Sequence, residues 1–174
     1  MNEQRHGDES TELLKIENAR VGYQVAIDLW LYEGQLQVQK FSALLLANSI
    51  ILGAVALIKS SETPIFALSL GLPIAGLSLC VLWFLLSKRG FENYYYWIKT
   101  ARELEEAHLS DIIVTVSRGA KYVDGNEVVL TLDGNKEKMQ MSVLGKLLNV
   151  QKVWYIMISI FAIVHVLFII DLSL

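Results

Sequence analysis

Three long apolar runs interrupt an otherwise charged chain: Phe41–Ile58, Ile65–Leu86 and Val153–Ile170. The first two contain no Lys, Arg, Asp or Glu and are joined by the polar link Lys59-Ser60-Ser61-Glu62-Thr63-Pro64. An apolar helix of ~18–22 residues rises roughly 27–33 Å, the thickness of a bilayer's hydrocarbon. The pattern predicts a transmembrane helical hairpin over 41–86 and a third span over 153–170. Ahead of the first run, Leu14, Val21, Val25, Leu29, Tyr32 and Leu36 recur at helical spacing. Ile16, Ala19, Tyr23, Ala26 and Trp30 form a second stripe roughly opposite, and no proline intervenes. This predicts one cytoplasmic helix over 10–40, capped by Ser10, behind a polar, disordered segment 1–9. Two apolar faces favour packing against other helices. The alternative, lying flat on the membrane, uses one face only.

The region 88–152 changes character midway. Phe91, Tyr94, Ile98, Ala101 and Leu104 keep helical spacing. That helix would continue the membrane hairpin into the cytosol as a stalk and bury the Val21–Leu36 stripe. After Ser110 come the β-branched run Ile112–Val116 and two Asp-Gly-Asn triplets, 124–126 and 133–135, which are hairpin-turn signals. They predict a small antiparallel sheet of three or four strands within about 112–141. Ser142 then caps a short amphipathic helix carrying Leu144, Leu147 and Leu148. The fold class is a mainly α membrane protein: three transmembrane helices, long cytoplasmic helical extensions and a small antiparallel β insertion.

Composition sharpens this. The chain is 53% hydrophobic, against ~45–50% for a water-soluble domain. Its net charge of −3 carries no direct nucleic-acid signature. Cys80 is the only cysteine, which excludes an intrachain disulfide and a cysteine metal cluster, and its expected role is that of a small packing residue. The first 35 residues lack the apolar core of a cleavable signal peptide. Of the 15 Lys and Arg, only Lys59 falls in the loop of the first hairpin, and none follows the third span. The rest precede the first span or lie between the second and third. Basic residues are retained in the cytoplasm. The N-terminus and 88–152 are therefore expected inside, and the 59–64 loop and the tail from Asp171 outside.

Within the spans a few residues stand out. Ser42, Ser49, Gly53 and Ala56 share one face of the first, a surface that lets another helix approach closely. Asn48 in the same span and His165 in the third are costly in lipid. Each is explained either by an interhelical hydrogen bond or by a water-filled path, and Asn48, Ser49 and His165 are the pore candidates. Gly71, Pro73 and Gly76 mark a kink in the second span and are hinge candidates. Trp30, Trp83, Tyr95, Trp97 and Trp154 are placed as interfacial anchors. There is no phosphate loop, no metal-ligand spacing and no nucleophile elbow, so no catalytic residue, metal or cofactor is expected. The Asp-Gly-Asn triplets lack the later glycine and glutamate of a calcium loop.

Lys15–Trp30, Tyr32-Glu33-Gly34, Leu46-Ala47-Asn48-Ser49 and Phe91–Glu106 resemble a group of small bacterial membrane proteins. A leading helix, a membrane hairpin and a cytosolic module together are similar to membrane effectors of anti-phage operons, including the SLATT type and the Hailong channel type. The likeness covers about residues 11–109, and the third span departs from the two-span SLATT arrangement. It implies an effector of the bacterial inner membrane, silent until infection, that then permeabilises the membrane and stops growth. Three spans line a pore only by assembly. The expected partners are therefore the lipid bilayer and further copies of the chain. A gating signal would come from a cytosolic regulatory protein, or from a nucleotide or nucleic acid supplied by a neighbouring operon gene. The leading expectation is an oligomeric channel or pore-forming effector gated by its cytoplasmic region. A non-conducting anchor or scaffold that recruits a partner through 91–141 is the alternative, and a small-molecule or lipid sensor is a third reading.

Overall fold

The computed structural model describes residues 2–61 and 66–171, with side chains from residue 11 onward. In chain order the elements are α1 (Asn2–Lys59), α2 (Phe66–Leu104), one π-helical turn (Glu105–Leu109), α3 (Thr115–Val123), β1 (Val128–Leu132), β2 (Asn135–Met139), α4 (Val143–Leu147) and α5 (Val150–Asp171). Three helices, Thr11–Lys59, Phe66–Leu109 and Val150–Asp171, are long and apolar enough to cross a membrane. They carry the three predicted spans. The tip of the first loop, 62–65, and the tail 172–174 lie outside the described residues. α1 starts at Asn2, so Ser10 lies inside the helix and not at its cap. No proline stops the helix earlier, and the described backbone of 2–9 is helical.

The chain divides into two compact units, 34–92 with 150–174, and 1–33 with 93–149. The first unit holds the spans. Its core is Cys80, Trp83 and Ile158, packed by Phe41, Leu44, Leu45, Tyr155, Phe161 and Ala162. An aromatic chain runs through it. Phe41 lies 5.2 Å from Trp83 and 4.4 Å from Trp154, and Trp154 lies 5.2 Å from Phe91. At one end an ion pair joins Lys59, the last residue of α1, to Asp171, the last of α5. Lys59 and Asp171 thus lie at the same end of this unit, as an odd number of spans requires.

The second unit holds the other half of α1, the end of α2 and everything up to Asn149. Here α1 turns its second stripe inward: Ala19 and Ala26 are buried, whereas Leu14, Val21, Val25 and Tyr32 are exposed. Thus the Ile16–Trp30 face meets α2, and not the Val21–Leu36 stripe. Alanines and Gly22 allow that approach, and a Cβ at Gly22 would stand 3.3 Å from Leu104.

The sheet has two strands where three or four were expected. β1 and β2 pair antiparallel, Val128 with Met139 through Leu132 with Asn135. Asp133 and Gly134, at φ 50° and 78°, form the two-residue turn that the second Asp-Gly-Asn triplet signalled. The first triplet is a helix stop instead. Asp124 ends α3, and Gly125 takes φ 83°. The Gly125 amide bonds the Tyr122 carbonyl and the Asn126 amide bonds that of Lys121, both at 2.9 Å. That is a Schellman cap, which needs the same left-handed glycine as a hairpin turn. The β-branched run 112–116 is no strand: 112–114 form a loop, and Thr115 and Val116 open α3. β propensity loses there because α3 receives a cap from a distant residue. Glu105, in the π turn, accepts the amides of Val116 at 2.9 Å and Ser117 at 2.8 Å.

Candidate functional site: a buried polar node and an open serine face

Asn48 of α1, Gly76 and Cys80 of α2 and His165 of α5 meet inside the membrane unit. Asn48 and His165 have no exposed surface, and Cys80 retains 2%. The Asn48 amide nitrogen donates to the Leu44 carbonyl at 3.0 Å, back along its own helix. Its Oδ1 accepts from Cys80 Sγ at 3.4 Å and lies 3.2 Å from His165 Nε2. A carboxamide oxygen only accepts, so the imidazole carries its hydrogen on Nε2. His165 Nδ1 is left bare and buried, without a hydrogen-bond partner among the described residues. The ring lies on the α2 backbone at Gly76, where a Cβ would come within 2.1 Å of His165 Cε1.

This geometry assigns the node a local task. One amide oxygen ties the three spans together, and the close approach of α5 to α2 rests on a glycine. In lipid such bonds, together with small-residue contacts, replace the hydrophobic drive that water supplies elsewhere. Gly76, read as a hinge from its neighbour Pro73, is the seat of the imidazole. Pro73 is itself fully buried, Gly71 is exposed, and α2 runs through all three as one helix.

Ser49 stands apart from Asn48 and His165. It lies on the exposed face of α1 with Ser42, Leu46, Gly53 and Ala56. The hydroxyls are held by their own helix: Ser42 bonds the Val38 carbonyl at 3.0 Å and Ser49 that of Leu45 at 2.8 Å. A Cβ at Gly53 would meet no atom within 4 Å. The small face of α2, Ser69 with Pro73, Gly76 and Cys80, is by contrast spent inside the protomer.

The five aromatic anchors divide similarly. Trp83 and Trp154 are core residues, at 0% and 8% exposure. Trp30 stacks 5.4 Å from Tyr94, Tyr95 lies 5.7 Å from Tyr94, and Trp97 lies 4.9 Å from Tyr96. Of the buried polar residues that the sequence pattern does not single out, Gln37 and Glu105 matter most here. Gln37 packs its amide on Gly90, where a Cβ would stand 1.2 Å from Nε2, and the Gln37–Gly90 pairing depends on helix register. Glu105 also receives the Tyr23 hydroxyl at 3.3 Å. Burial, reinforced by the charge and hydrogen bond of Glu105, pushes the Tyr23 phenol above its ordinary value. A glutamate at helical spacing within an apolar face was the available signal, masked by the acidic run around it.

Three apolar helices, internally bonded and carrying an unused small-residue face, define a membrane protein built to assemble. The chain belongs to the octameric membrane protein family, whose sequence model matches residues 22–174. It is an oligomeric membrane protein. The match takes in the β-hairpin and α5, which the likeness to defence effectors over about 11–109 leaves out. No curated protein and no solved structure matches the chain.

Proposed function

We propose that eight copies of this chain form an ion channel of the bacterial inner membrane, with the Ser42–Ala56 face of α1 on the water path. The observation that carries the reading is that this face, hydroxyl-bearing and free of bulk at Gly53, is open in a protomer of an octameric family. Asn48 and His165 then hold the protomer together, and Ser49 is the one pore candidate that meets water. Eight helices at about 9 Å between axes enclose a lumen roughly 14 Å across. That width passes hydrated ions, so conduction should discriminate poorly among small ions. No catalysis is assigned. The N-terminus and 88–152 face the cytoplasm, by the basic residues around the spans. The biological role is that of an anti-phage effector that permeabilises the membrane on infection, a role that rests on the likeness of residues 11–109.

The scaffold reading has one observation in its favour. An apolar groove of about 290 Å³ between α3 and the hairpin, lined by Gly119, Tyr122, Val128, Leu130 and Met139, could receive a cytosolic partner. Planar-bilayer recording separates the two. Purified full-length protein should give discrete conductance steps with weak cation–anion preference. Ser49→Leu, which places a branched side chain on the water path, should lower the step size at unchanged expression. A silent bilayer under every activating condition would favour the scaffold.

A further inference from the structure

α4 is amphipathic in the wrong sense for a helix facing water. Its polar side turns inward: Lys146 lays its chain on Gly125, where a Cβ would stand 2.2 Å from Lys146 Cε. Its Nζ donates to the Gly125 carbonyl at 3.1 Å, and the Gln140 amide donates to the same oxygen at 2.9 Å. Gly145 faces Met141 on that side, and Ser142 caps the helix by accepting the Gly145 amide at 3.2 Å. The apolar side turns outward. Val143, Leu144, Leu147 and Leu148 are 73%, 70%, 61% and 63% exposed.

We infer that this leucine face is seated in the lipid headgroup boundary and docks the α3–hairpin module on the membrane surface. Two features select lipid as the occupant. Only Leu148 and Asn149 separate α4 from α5, a span by length and composition, so the chain that carries the face runs directly into a membrane-crossing helix. The one cation of the helix is also engaged with the Gly125 carbonyl, which leaves an uncharged surface suited to the acyl boundary. Through Lys146 the same helix grips the turn between α3 and β1. The inference holds whether or not the assembly conducts.

The test is site-directed spin labelling of full-length protein in phosphatidylcholine–phosphatidylglycerol vesicles, in a Cys80→Ser background that removes the native thiol and keeps a donor for Asn48. Leu144→Cys, Leu147→Cys and Leu148→Cys are labelled one at a time, with Lys136→Cys on β2 as the aqueous reference. At 144, 147 and 148 collision with oxygen should exceed collision with a water-soluble nickel chelate several-fold, and at 136 the order should reverse. Free access of the chelate to the leucine sites overturns the inference. Exclusion of both reagents with spin–spin broadening overturns it too, since the face would then be covered by a second copy.

Discussion

Both lone pairs of Asn48 Oδ1 are in use, one toward the Cys80 thiol and one toward His165. Removing either side chain therefore strands its partner in a medium without water. Asn48→Leu and His165→Leu should each destabilise the protomer, and the double variant should lose less than their sum. Such couplings within membranes average about 0.6 kcal/mol and reach about 1.7 kcal/mol. A double-mutant cycle by denaturant titration in detergent micelles measures the coupling, and strict additivity would show that the hydrogen bond contributes nothing. The sequence singles out both residues because an amide and an imidazole are costly in lipid. Their meeting was not legible: they lie 117 positions apart, and the register between α1 and α5 is a property of packing. The contact of Gly76 with the imidazole was hidden likewise, since which helix lies on a glycine is also a matter of packing.

At the level of elements, the spans were legible because apolar length alone decides them. The module between the second and third spans was legible only in part. Asp133–Gly134 sets a hairpin, whereas Asp124–Gly125 stops a helix, and the local sequence signal is the same. The Ile112–Val116 run favours a strand by local propensity, yet α3 begins within it because Glu105 supplies acceptors for two otherwise orphaned amides. Glu105→Ala should therefore unlatch the first turn of α3. A lost cap costs roughly 1–2 kcal/mol, and the Val116 and Ser117 amides should exchange roughly fivefold to thirtyfold faster. Hydrogen exchange by mass spectrometry reads this, with β1–β2 as the internal control. The same change bears on Tyr23. Burial and Glu105 keep its phenol neutral beyond the ordinary tyrosine value of 10.0, so its contribution to stability is full below that pH and fades as pH rises through the raised value. Without the Glu105 charge the raised value falls back toward the ordinary one, so the fading should end at lower pH and be smaller. Unchanged exchange at Val116 and Ser117 would mean that α3 holds its first turn without this carboxylate.

For the whole molecule, family membership and the membrane unit together constrain the assembly. A closed ring of identical subunits brings two different surfaces of each protomer together at every seam. Two small-residue faces remain open on the spans: Ser42, Ser49, Gly53 and Ala56 on α1, and Gly71, Ala75 and Ser78 on α2. In the proposed channel only one of them need face the lumen. If α1 lines the water path, as proposed, the α2 face is left for the seam, where close packing depends on the missing side chain of Gly71. A Cβ at Gly53 or at Gly71 meets nothing within 4 Å in the protomer, so neither position constrains the monomer's own fold. Leucine at the two positions should then act differently. Gly53→Leu should leave the detergent-corrected mass near eight times the 19.6 kDa chain, about 157 kDa, and lower the conductance. Gly71→Leu should shift the mass toward smaller species while helicity is retained. Light scattering on the purified complexes distinguishes the outcomes. The reverse pattern, dissociation by Gly53→Leu and an intact ring with Gly71→Leu, would put α1 at the seam and remove the serine face from the lumen.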